Sequence, residues 1–527
     1  MSWVTNLRRV PADYYAVLGI IALYVVVAGI RLGLPGVHYD EALYVNAARG
    51  GVDNVTFMTK TFYGFPVLLM PYIGALKAYI FYPIFAVFGV GAVTMRFPSL
   101  VFSAVALWLL YLLVRRHVSR LLGVSMVAVT ALTASFMVFT RLDFGPVVLD
   151  FLLKILALAV LLQFAARPRM RWLILFWLLL FVGVFNKLNY LWYVNAFVLA
   201  FAAVYGRGLW QRLNKAMRLR VAVISVVGYG LCVGYYGLLS KAYHLGGSLG
   251  FVGFRLFYDH LSTLVSGSWF YNYAFSRSHI STHTVFWIMT AIVLAGAGCA
   301  AWQIRQDPKL WDKQARFGAF FGLVLVVLLG EVAMTLKATA GWHYFSVYPF
   351  FGAVWVLALS YVARFAWPRR RQFQALVVGG LVALASAYQL FVYSGYIKAY
   401  ARPAMNPGWS PAIYKLISYA KAHNGTFVSM DWGTQTQLIG FDPVHGKYLE
   451  MFGPLDISNP ITNKWLYDRY IGSVRNGYYI GTAPGEQNFP EVQKDFFTLA
   501  LQHGLHPRRV AVIADKKPVY YVYQLVK

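Results

Sequence analysis

The 527-residue sequence has few cysteines and few charged residues, and both shortages limit what kind of protein it can be. Its two cysteines, Cys232 and Cys299, lie inside apolar runs, so no disulfide framework is available. Charged residues make up only 13% of the chain and hydrophobic residues 59%, and the mean hydropathy is +0.56. A soluble domain of ordinary composition does not have these values, which predict an integral membrane protein.

Acidic residues are also scarce, since 19 Asp and Glu stand against 47 Lys and Arg, for a formal net charge of +28. Much of the Lys and Arg lies in short loops between apolar runs, so we expect no nucleic-acid partner. The sequence has no glycine-rich phosphate loop, which argues against a soluble nucleotide donor. It also lacks an internal repeat, and no A-x-A cleavage site follows its first apolar run. We therefore expect that run to stay in place as an uncleaved anchor.

Eleven apolar runs are predicted to cross the membrane. They are residues 14–34, 97–114, 121–138, 147–166, 172–185, 188–205, 221–241, 284–302, 317–335, 344–362 and 373–393. The apolar segment 66–91 is interrupted by Pro66, Pro71 and Pro83, which is typical of broken interfacial helices rather than of a crossing. When this segment does not cross, every arginine-rich short loop falls on the cytoplasmic side, as the positive-inside rule requires.

This topology predicts a multi-pass protein of a bacterial inner membrane, with a cytoplasmic N-terminus and an external, periplasmic C-terminus. Residues 1–398 are expected to form the transmembrane domain, and its first external loop is residues 35–96. From residue 399 onward Gly, Asn, Asp and Pro become frequent, with strand-like stretches at 426–430, 510–514 and 519–526 and a helical pattern at 414–422. Residues 399–527 are therefore predicted to be a small external α/β domain.

An acidic pair, Asp40 and Glu41, lies just past the first apolar run on the external side. Charges are costly beside the hydrocarbon and are kept there mainly for function. The pair also suits the start of an interfacial helix at 42–48, and both roles can coexist. Asp143 is the third candidate catalytic residue, although it can instead pair with Arg141.

The same topology collects other polar residues on the external side. Lys60, Lys77, Arg96 and Arg255 are the candidates for binding a donor phosphate at the membrane interface. The candidates for lining a cavity or binding an acceptor are Arg141, Lys187, Glu331, Lys337 and His343. Such a set fits glycosyl transfer from a lipid-linked donor, because a carboxylate deprotonates the acceptor while cations stabilise the phosphate leaving group.

Five short motifs, in order along the chain, carry a family resemblance. They are Tyr39-Asp40-Glu41, Pro71-Tyr72, Arg96-Phe97-Pro98-Ser99, Arg141-Leu142-Asp143 and Gly183-Val184-Phe185-Asn186-Lys187. With these motifs the sequence resembles the GT-C membrane glycosyltransferases, in the branch of the protein O-mannosyltransferases and the aminoarabinose transferases that act on lipid A. The resemblance covers roughly the first 240 residues well and the later spans by topology only.

The resemblance implies an inverting transferase of the cell envelope that uses a polyprenyl-phosphate sugar, such as an undecaprenyl phosphate donor. The acceptor is a lipid, a glycan or a protein on the outer face. By the family pattern Asp40 is the general base, and Glu41 and Asp143 shape the acceptor side. The aminoarabinose branch has a Lys-Pro-Pro motif where this chain has Met70-Pro71-Tyr72, so Lys77 or Lys60 takes the place of the missing lysine.

Three alternatives stay open at the level of sequence. Asp259, His260, His279 and His283 supply the residue types of a divalent metal site, although interfacial histidines explain them better, and no cofactor is certain. A transporter or flippase of lipid-linked sugars is a rival function, but the charges gather at the outer interface and no repeat is visible. A non-catalytic envelope assembly factor is the other rival, for which Asp40→Asn would be harmless.

Overall fold

A computed structural model describes residues 11–49, 60–63, 65–143, 145–245, 250–271, 283–336, 341–400, 407–451, 455–474, 476–485 and 487–527. The chain divides into two compact units. The first comprises Met1–Ile30, Pro98–Asn272 and Ser278–Tyr396, and the second comprises Arg31–Phe97, Tyr273–Arg277 and Ile397–Lys527. The predicted domain limits, 1–398 and 399–527, differ from this division in residues 31–97, which group with the C-terminal part.

The helices of the described residues, in chain order, are α1 Ala12–Gly29, α2 Tyr39–Ala48, α3 Leu76–Phe88, α4 Ala92–His117, α5 Arg120–Ala131, α6 Ala134–Leu142, α7 Val147–Ala166, α8 Met170–Asn186, α9 Leu191–Phe201, α10 Arg207–Arg212, α11 Lys215–Ala242, α12 Phe254–Ser266, α13 His283–Gln306, α14 Lys313–Ala333, α15 Gly341–Tyr344, α16 Phe350–Ala366, α17 Arg371–Tyr400, α18 Ala412–Ala422, α19 Thr434–Phe441, α20 Pro460–Tyr467 and α21 Pro490–Gln502. The strands are β1 Lys60–Phe62, β2 Phe65–Met70, β3 Ile73–Gly74, β4 Phe427–Ser429, β5 Tyr448–Glu450, β6 Tyr478–Thr482, β7 His506–Asp515 and β8 Lys517–Val526.

The protein is a multi-pass membrane protein, because many of its helices are long and apolar enough to cross a bilayer. Among the described residues, eight helices are long and apolar enough to cross, or up to ten when each of two bent pairs counts as one span. The bent pairs are α5 with α6, at 64°, and Gly341–Val347 with α16, at 44°. The run predicted at 172–185 forms α8, which has 17 residues and is shorter than the helices counted as spans.

Aromatic side chains fill the core of the first unit between its helices. The ring of Phe136 on α6 lies 5.1 Å from that of Phe151 on α7 and 5.8 Å from that of Phe345. The hydroxyl of Tyr24 on α1 donates a 2.7 Å hydrogen bond to Thr140. Leu384 of α17, in contrast, is 67% exposed, as expected of a side chain that faces lipid. Aromatic rings therefore contribute to the packing inside this unit, and apolar side chains also cover its outside.

The segment 66–91 was predicted as broken interfacial helices, and only its second half is helical. Residues Phe65–Met70 and Ile73–Gly74 are strands, and with β1 they form an antiparallel sheet in the order β1-β2-β3. Proline disfavours the interior of a helix but is tolerated at edges and turns, which explains the strands around Pro66 and Pro71. Helix α3 has 13 residues and is only about 20 Å long, too short to cross the hydrocarbon.

The C-terminal part of the second unit is built on a five-stranded mixed sheet with the strand order β5-β4-β6-β8-β7. Strands β5, β4 and β6 are parallel, while β8 is antiparallel to both β6 and β7. Leu416 of α18 packs on one face of the sheet with Phe427 and Tyr448. Phe496 of α21 packs on the other face with Val428 and Tyr479. The prediction of a small C-terminal α/β domain is confirmed.

Candidate active site

The acidic pair lies in the first turn of α2, whose beginning is set by a reciprocal cap. The backbone N–H of Asp40 donates to Nδ1 of His38 at 3.3 Å, and the backbone N–H of His38 donates to Oε1 of Glu41 at 2.9 Å. Two backbone donors at the start of the helix are thereby satisfied, and two carboxylates stand where the helix dipole favours negative charge. The helix starts at Tyr39, three residues before the predicted start.

Glu41 is paired with Arg96 inside the protein. Nε and Nη2 of Arg96 donate to the two carboxylate oxygens of Glu41 at 2.7 and 2.8 Å. The remaining N–H groups donate to the carbonyls of Leu32, Pro35 and Gly36. All five N–H groups of the guanidinium are therefore used, and both side chains are almost fully buried. This geometry argues against the predicted phosphate-binding role of Arg96 and favours a structural role for the pair.

Asp40, in contrast, is partly exposed. Its side chain is 24% exposed, whereas the side chain of Glu41 is 1% exposed and Asp143 is completely buried. Burial and the charge of Arg96 lower the pKa of His38 to about 3, so that imidazole is neutral and forms no ion pair with Asp40, although Nδ1 lies 3.8 Å from Oδ2. Of the three predicted catalytic acids, Asp40 is the one that solvent reaches.

Lys77 lies against the face of α2 that also carries Asp40. Its Nζ is 4.4 Å from the centre of the Tyr44 ring, and Tyr44 follows Asp40 by four residues, on the same helix face. Lys77 itself is 4% exposed. Partial burial and the negative charge of Asp40 raise the pKa of Tyr72 to about 12. The segment that replaces the Lys-Pro-Pro motif thus brings a cation and a phenol to the helix of the acidic pair.

Lys60 and Arg255 are less well defined as phosphate ligands. Lys60 begins β1, opposite Leu68 of β2, and the course of its side chain is outside what the structure describes. Arg255 is exposed in the first turn of α12. Both stay predictions.

Arg141 and Asp143 are completely buried and bind the ends of helices in the first unit. Arg141 donates to the carbonyls of Ala28 and Ile30 at the C-terminal end of α1, at 3.1 and 2.8 Å. Asp143 accepts from the backbone N–H of Val148 at the start of α7, at 2.9 Å. Arginine at a helix C-terminus and aspartate at a helix N-terminus both complement the helix dipole. These contacts favour structural roles, and their catalytic and acceptor roles stay predictions.

Lys187 lies in a buried polar cluster of the first unit that the sequence showed only in part. Nζ of Lys187 donates to the carbonyl of Gly145 at 3.1 Å. The neighbouring Asn186 donates to the carboxylate of Asp150 at 2.8 Å. Lys154 uses its three donors on Tyr193 and on the carbonyls of Ser346 and Tyr348. Ionisable residues inside a bundle are candidates for function, and the i,i+4 spacing of Asp150 and Lys154 predicts polar residues on the bundle-facing side of their span.

Glu331, His343 and Lys337 are the remaining candidates for binding an acceptor. Glu331 accepts a 2.7 Å hydrogen bond from Nδ2 of Asn195. Oδ1 of Asn195 accepts in turn from the hydroxyl of Tyr229 at 3.1 Å, which links α14, α9 and α11. His343 is half-buried, with its ring 6.4 Å from that of Trp192. Lys337 lies outside the described residues. Their acceptor-binding roles stay predictions.

The residues proposed for a metal do not form a cluster in the part of the chain that the structure describes. No group of three His, Cys, Asp or Glu side chains suited to a metal occurs among these residues. Nδ1 of His260 accepts a 2.9 Å hydrogen bond from the indole N–H of Trp269. The ring of His283 stacks on Tyr258 at 5.1 Å. Asp259 is half-buried on α12, and His279 lies outside the described residues.

Comparison with known proteins defines the class of this fold. The family model described as dolichyl-phosphate-mannose-protein mannosyltransferase matches residues 74–229. No curated protein sequence matches the chain. The match to the family model, together with the similar solved structures, confirms the predicted resemblance: the chain has the fold of the GT-C membrane glycosyltransferases.

Two proteins represent the solved structures with this fold. ArnT from Cupriavidus metallidurans is 14% identical over 97% of this chain and 98% of its own, with a TM-score of 0.58 in the apo state and 0.53 when bound to undecaprenyl phosphate. The oligosaccharyltransferase AglB from Archaeoglobus fulgidus, in complex with an inhibitory peptide and a dolichol-phosphate, is 11% identical over 93% of this chain and 71% of its own, with a TM-score of 0.53.

Proposed function

We propose that the protein is a membrane glycosyltransferase that moves one sugar from a polyprenyl-phosphate donor to a lipid, glycan or protein acceptor. The reaction takes place at the outer face of a bacterial inner membrane, the side away from the arginine-rich loops. The observation that carries the proposal is the accessible carboxylate of Asp40, held in the first turn of a capped helix in a chain with the GT-C fold.

In the proposed reaction, Asp40 takes the proton of the attacking acceptor group. The acceptor oxygen or nitrogen forms a bond with the anomeric carbon, the bond from that carbon to the phosphate oxygen breaks, and the configuration inverts. The leaving group is the free polyprenyl phosphate. A carboxylate that is partly exposed meets the acceptor without moving, whereas Glu41, closed inside its pair with Arg96, serves to fix the helix.

The donor class rests on the relatives and on one cation. ArnT is bound to undecaprenyl phosphate and AglB to a dolichol-phosphate, and both ligands are polyprenyl phosphates. In this chain Lys77, which lies over Tyr44 on the face of α2 that carries Asp40, is the proposed phosphate ligand. A cation beside this helix stabilises the negative charge that develops on the departing phosphate. Lys60 is proposed as a further ligand of the same phosphate, and the phosphate-binding role of Arg255 stays a prediction.

The proposal is tested with purified protein in detergent and a panel of polyprenyl-phosphate sugars, each with lipid, glycan and peptide acceptors. We expect one donor to yield free polyprenyl phosphate together with a glycosylated acceptor whose anomeric configuration is opposite to that of the donor. Retention of configuration would contradict the single displacement. If well-folded protein transfers no sugar from any donor to any acceptor, the enzyme proposal is wrong and a transport or assembly role takes its place.

A further inference from the structure

One short loop of the C-terminal part of the second unit contacts the helix that carries Asp40 close to that residue. This loop, residues 431–435, runs from β4 to the start of α19. The indole of Trp432 stacks on the ring of Tyr39, with ring centres 5.5 Å apart and an interplanar angle of 26°. Gly433 has φ +91°, and a Cβ at this position would lie 2.5 Å from the Tyr39 ring. The loop therefore touches the residue directly before the proposed base.

A buried carboxylate, Asp431, fixes the beginning of the loop. Its side chain is only 3% exposed and accepts from the backbone N–H of Trp432 at 2.9 Å and from the hydroxyl of Thr482 at 2.9 Å. It also accepts from the backbone N–H groups of Asn488 and Phe489. A buried carboxylate is tolerated when hydrogen bonds surround it, and this one joins two loops at the carboxyl edge of the sheet.

A second buried carboxylate, Glu450, fixes the end of the loop. One oxygen accepts from the backbone N–H groups of Gly433 and Gln435 at 2.9 and 3.0 Å, and the residue is 2% exposed. These donors belong to the N-terminus of α19, where negative charge is favourable. The proposed reaction uses neither of the two buried acids. Both act on the backbone that presents Trp432 and Gly433 to Tyr39.

Further contacts connect the C-terminal part to both ends of α2. Before the helix, Nε2 of Gln437 donates to the carbonyl of Val37 at 2.6 Å, and the ring of His38 stacks on Trp409 at 4.2 Å. At its end, Nη1 of Arg49 donates to the carbonyl of Gly440 at 3.3 Å. The helix is thereby held along its length, and the contact at Tyr39 is the one next to the base.

We propose that the 431–435 loop is a positioning element for Asp40, which it holds in the orientation that accepts the proton of the acceptor. The inference rests on the proposed function and adds the role of the C-terminal domain. The domain acts on the chemical step through Tyr39. Asp431 and Glu450 fix the backbone of the loop by their hydrogen bonds. A base must lie within hydrogen-bond reach of its proton, and a shift of about 1 Å can lower the rate about 100-fold.

The test compares the variant Gly433→Ala with the control variant Gly504→Ala. Both glycines have positive φ, +91° and +71°, but nothing lies within 4 Å of a Cβ at Gly504. Both variants therefore place an alanine at positive φ, and only Gly433→Ala pushes Tyr39. We expect Gly433→Ala to lower kcat on the order of 10- to 100-fold with the donor KM within about twofold of wild type, while Gly504→Ala keeps the wild-type kcat.

A double variant separates positioning from misfolding. With Tyr39→Ala the ring that the new methyl group would meet is gone, so the double variant Tyr39→Ala/Gly433→Ala is expected to be no slower than Tyr39→Ala alone. Additive losses would overturn the inference. Gln437→Met, which removes the hydrogen bond to Val37 without emptying the site, is expected to lower kcat several-fold at unchanged donor KM.

The inference and the proposed function fail in different ways. If wild type transfers sugar and Asp40→Asn does not, but Gly433→Ala has the kcat of Gly504→Ala, the loop does not position the base and only the inference is wrong. A wild-type protein that transfers no sugar at all refutes the proposed function, and the inference with it.

Discussion

At the scale of residues, the structure separates two adjacent acids that the sequence presents as a pair. The side chain of Asp40 is 24% exposed and that of Glu41 1%. The sequence could predict that an acidic pair after the first span is functional, because charge is costly there. It could not assign the roles, since the partner of Glu41 is Arg96, 55 positions away. Exposure at a given position depends on such distant contacts.

Lys77 is the residue on which the donor-binding proposal is tested. We expect Lys77→Gln to raise the donor KM about 10- to 100-fold, because one charge-assisted hydrogen bond to the phosphate is lost. The measurement is initial rate against donor concentration, for Lys77→Gln, for Lys60→Gln and for Lys464→Gln. Lys464 is exposed on α20 and serves as the matched control. Wild-type donor kinetics in both Lys77→Gln and Lys60→Gln would refute the phosphate assignment.

At the scale of elements, a buried ion pair connects α2 to α4. Glu41 lies in the first turn of α2, and Arg96 lies near the start of α4. Three carbonyls of the segment before α2 accept the other hydrogen bonds of Arg96. Such a pair contributes little compared with a well-packed apolar contact, but removing one partner leaves the other charge buried without compensation. The helix is thus sensitive to change at either partner.

Glu41→Gln is expected to destabilise the protein by about 3–5 kcal/mol, since Arg96 stays charged and loses its counter-ion. The change is measured as a shift in the thermal unfolding midpoint of the purified protein. Glu491→Gln is the control, because Glu491 also lies in the first turn of a helix but is exposed. Equal unfolding midpoints for the two variants would contradict the structural role of the pair.

At the scale of the whole molecule, the sequence predicted the fold class but not the grouping of its parts. Long apolar runs and arginine-rich loops define membrane helices because the bilayer imposes length and charge rules that local sequence obeys. The strand-like stretches predicted at 426–430, 510–514 and 519–526 correspond to β4, β7 and β8, whereas β5 and β6 were missed. The packing of residues 31–97 with the C-terminal part, through contacts such as Tyr39 with Trp432, is tertiary and has no local signal.

The candidate site, like the fold, was predictable from the sequence only in part. The motif around Asp40, and Lys77 or Lys60 as candidates for the place of the missing lysine, follow from residue type and order. The loop that holds Tyr39 was not predictable, because Asp431, Gly433 and Glu450 are ordinary residues in sequence. Their hydrogen bonds, and the close approach of the 431–435 loop to α2, arise only when the chain is folded.

The central claim, that Asp40 is the general base of a polyprenyl-phosphate sugar transferase, is tested most directly by Asp40→Asn. The variant keeps the size of the side chain and removes its basicity, and Asp456→Asn, an exposed site in the same unit, is the control. We measure release of free polyprenyl phosphate in a single turnover, together with binding of the donor. The account predicts that Asp40→Asn binds the donor like wild type and transfers the sugar about 10²- to 10⁴-fold more slowly. Transfer by Asp40→Asn at the rate of wild type and Asp456→Asn would contradict it.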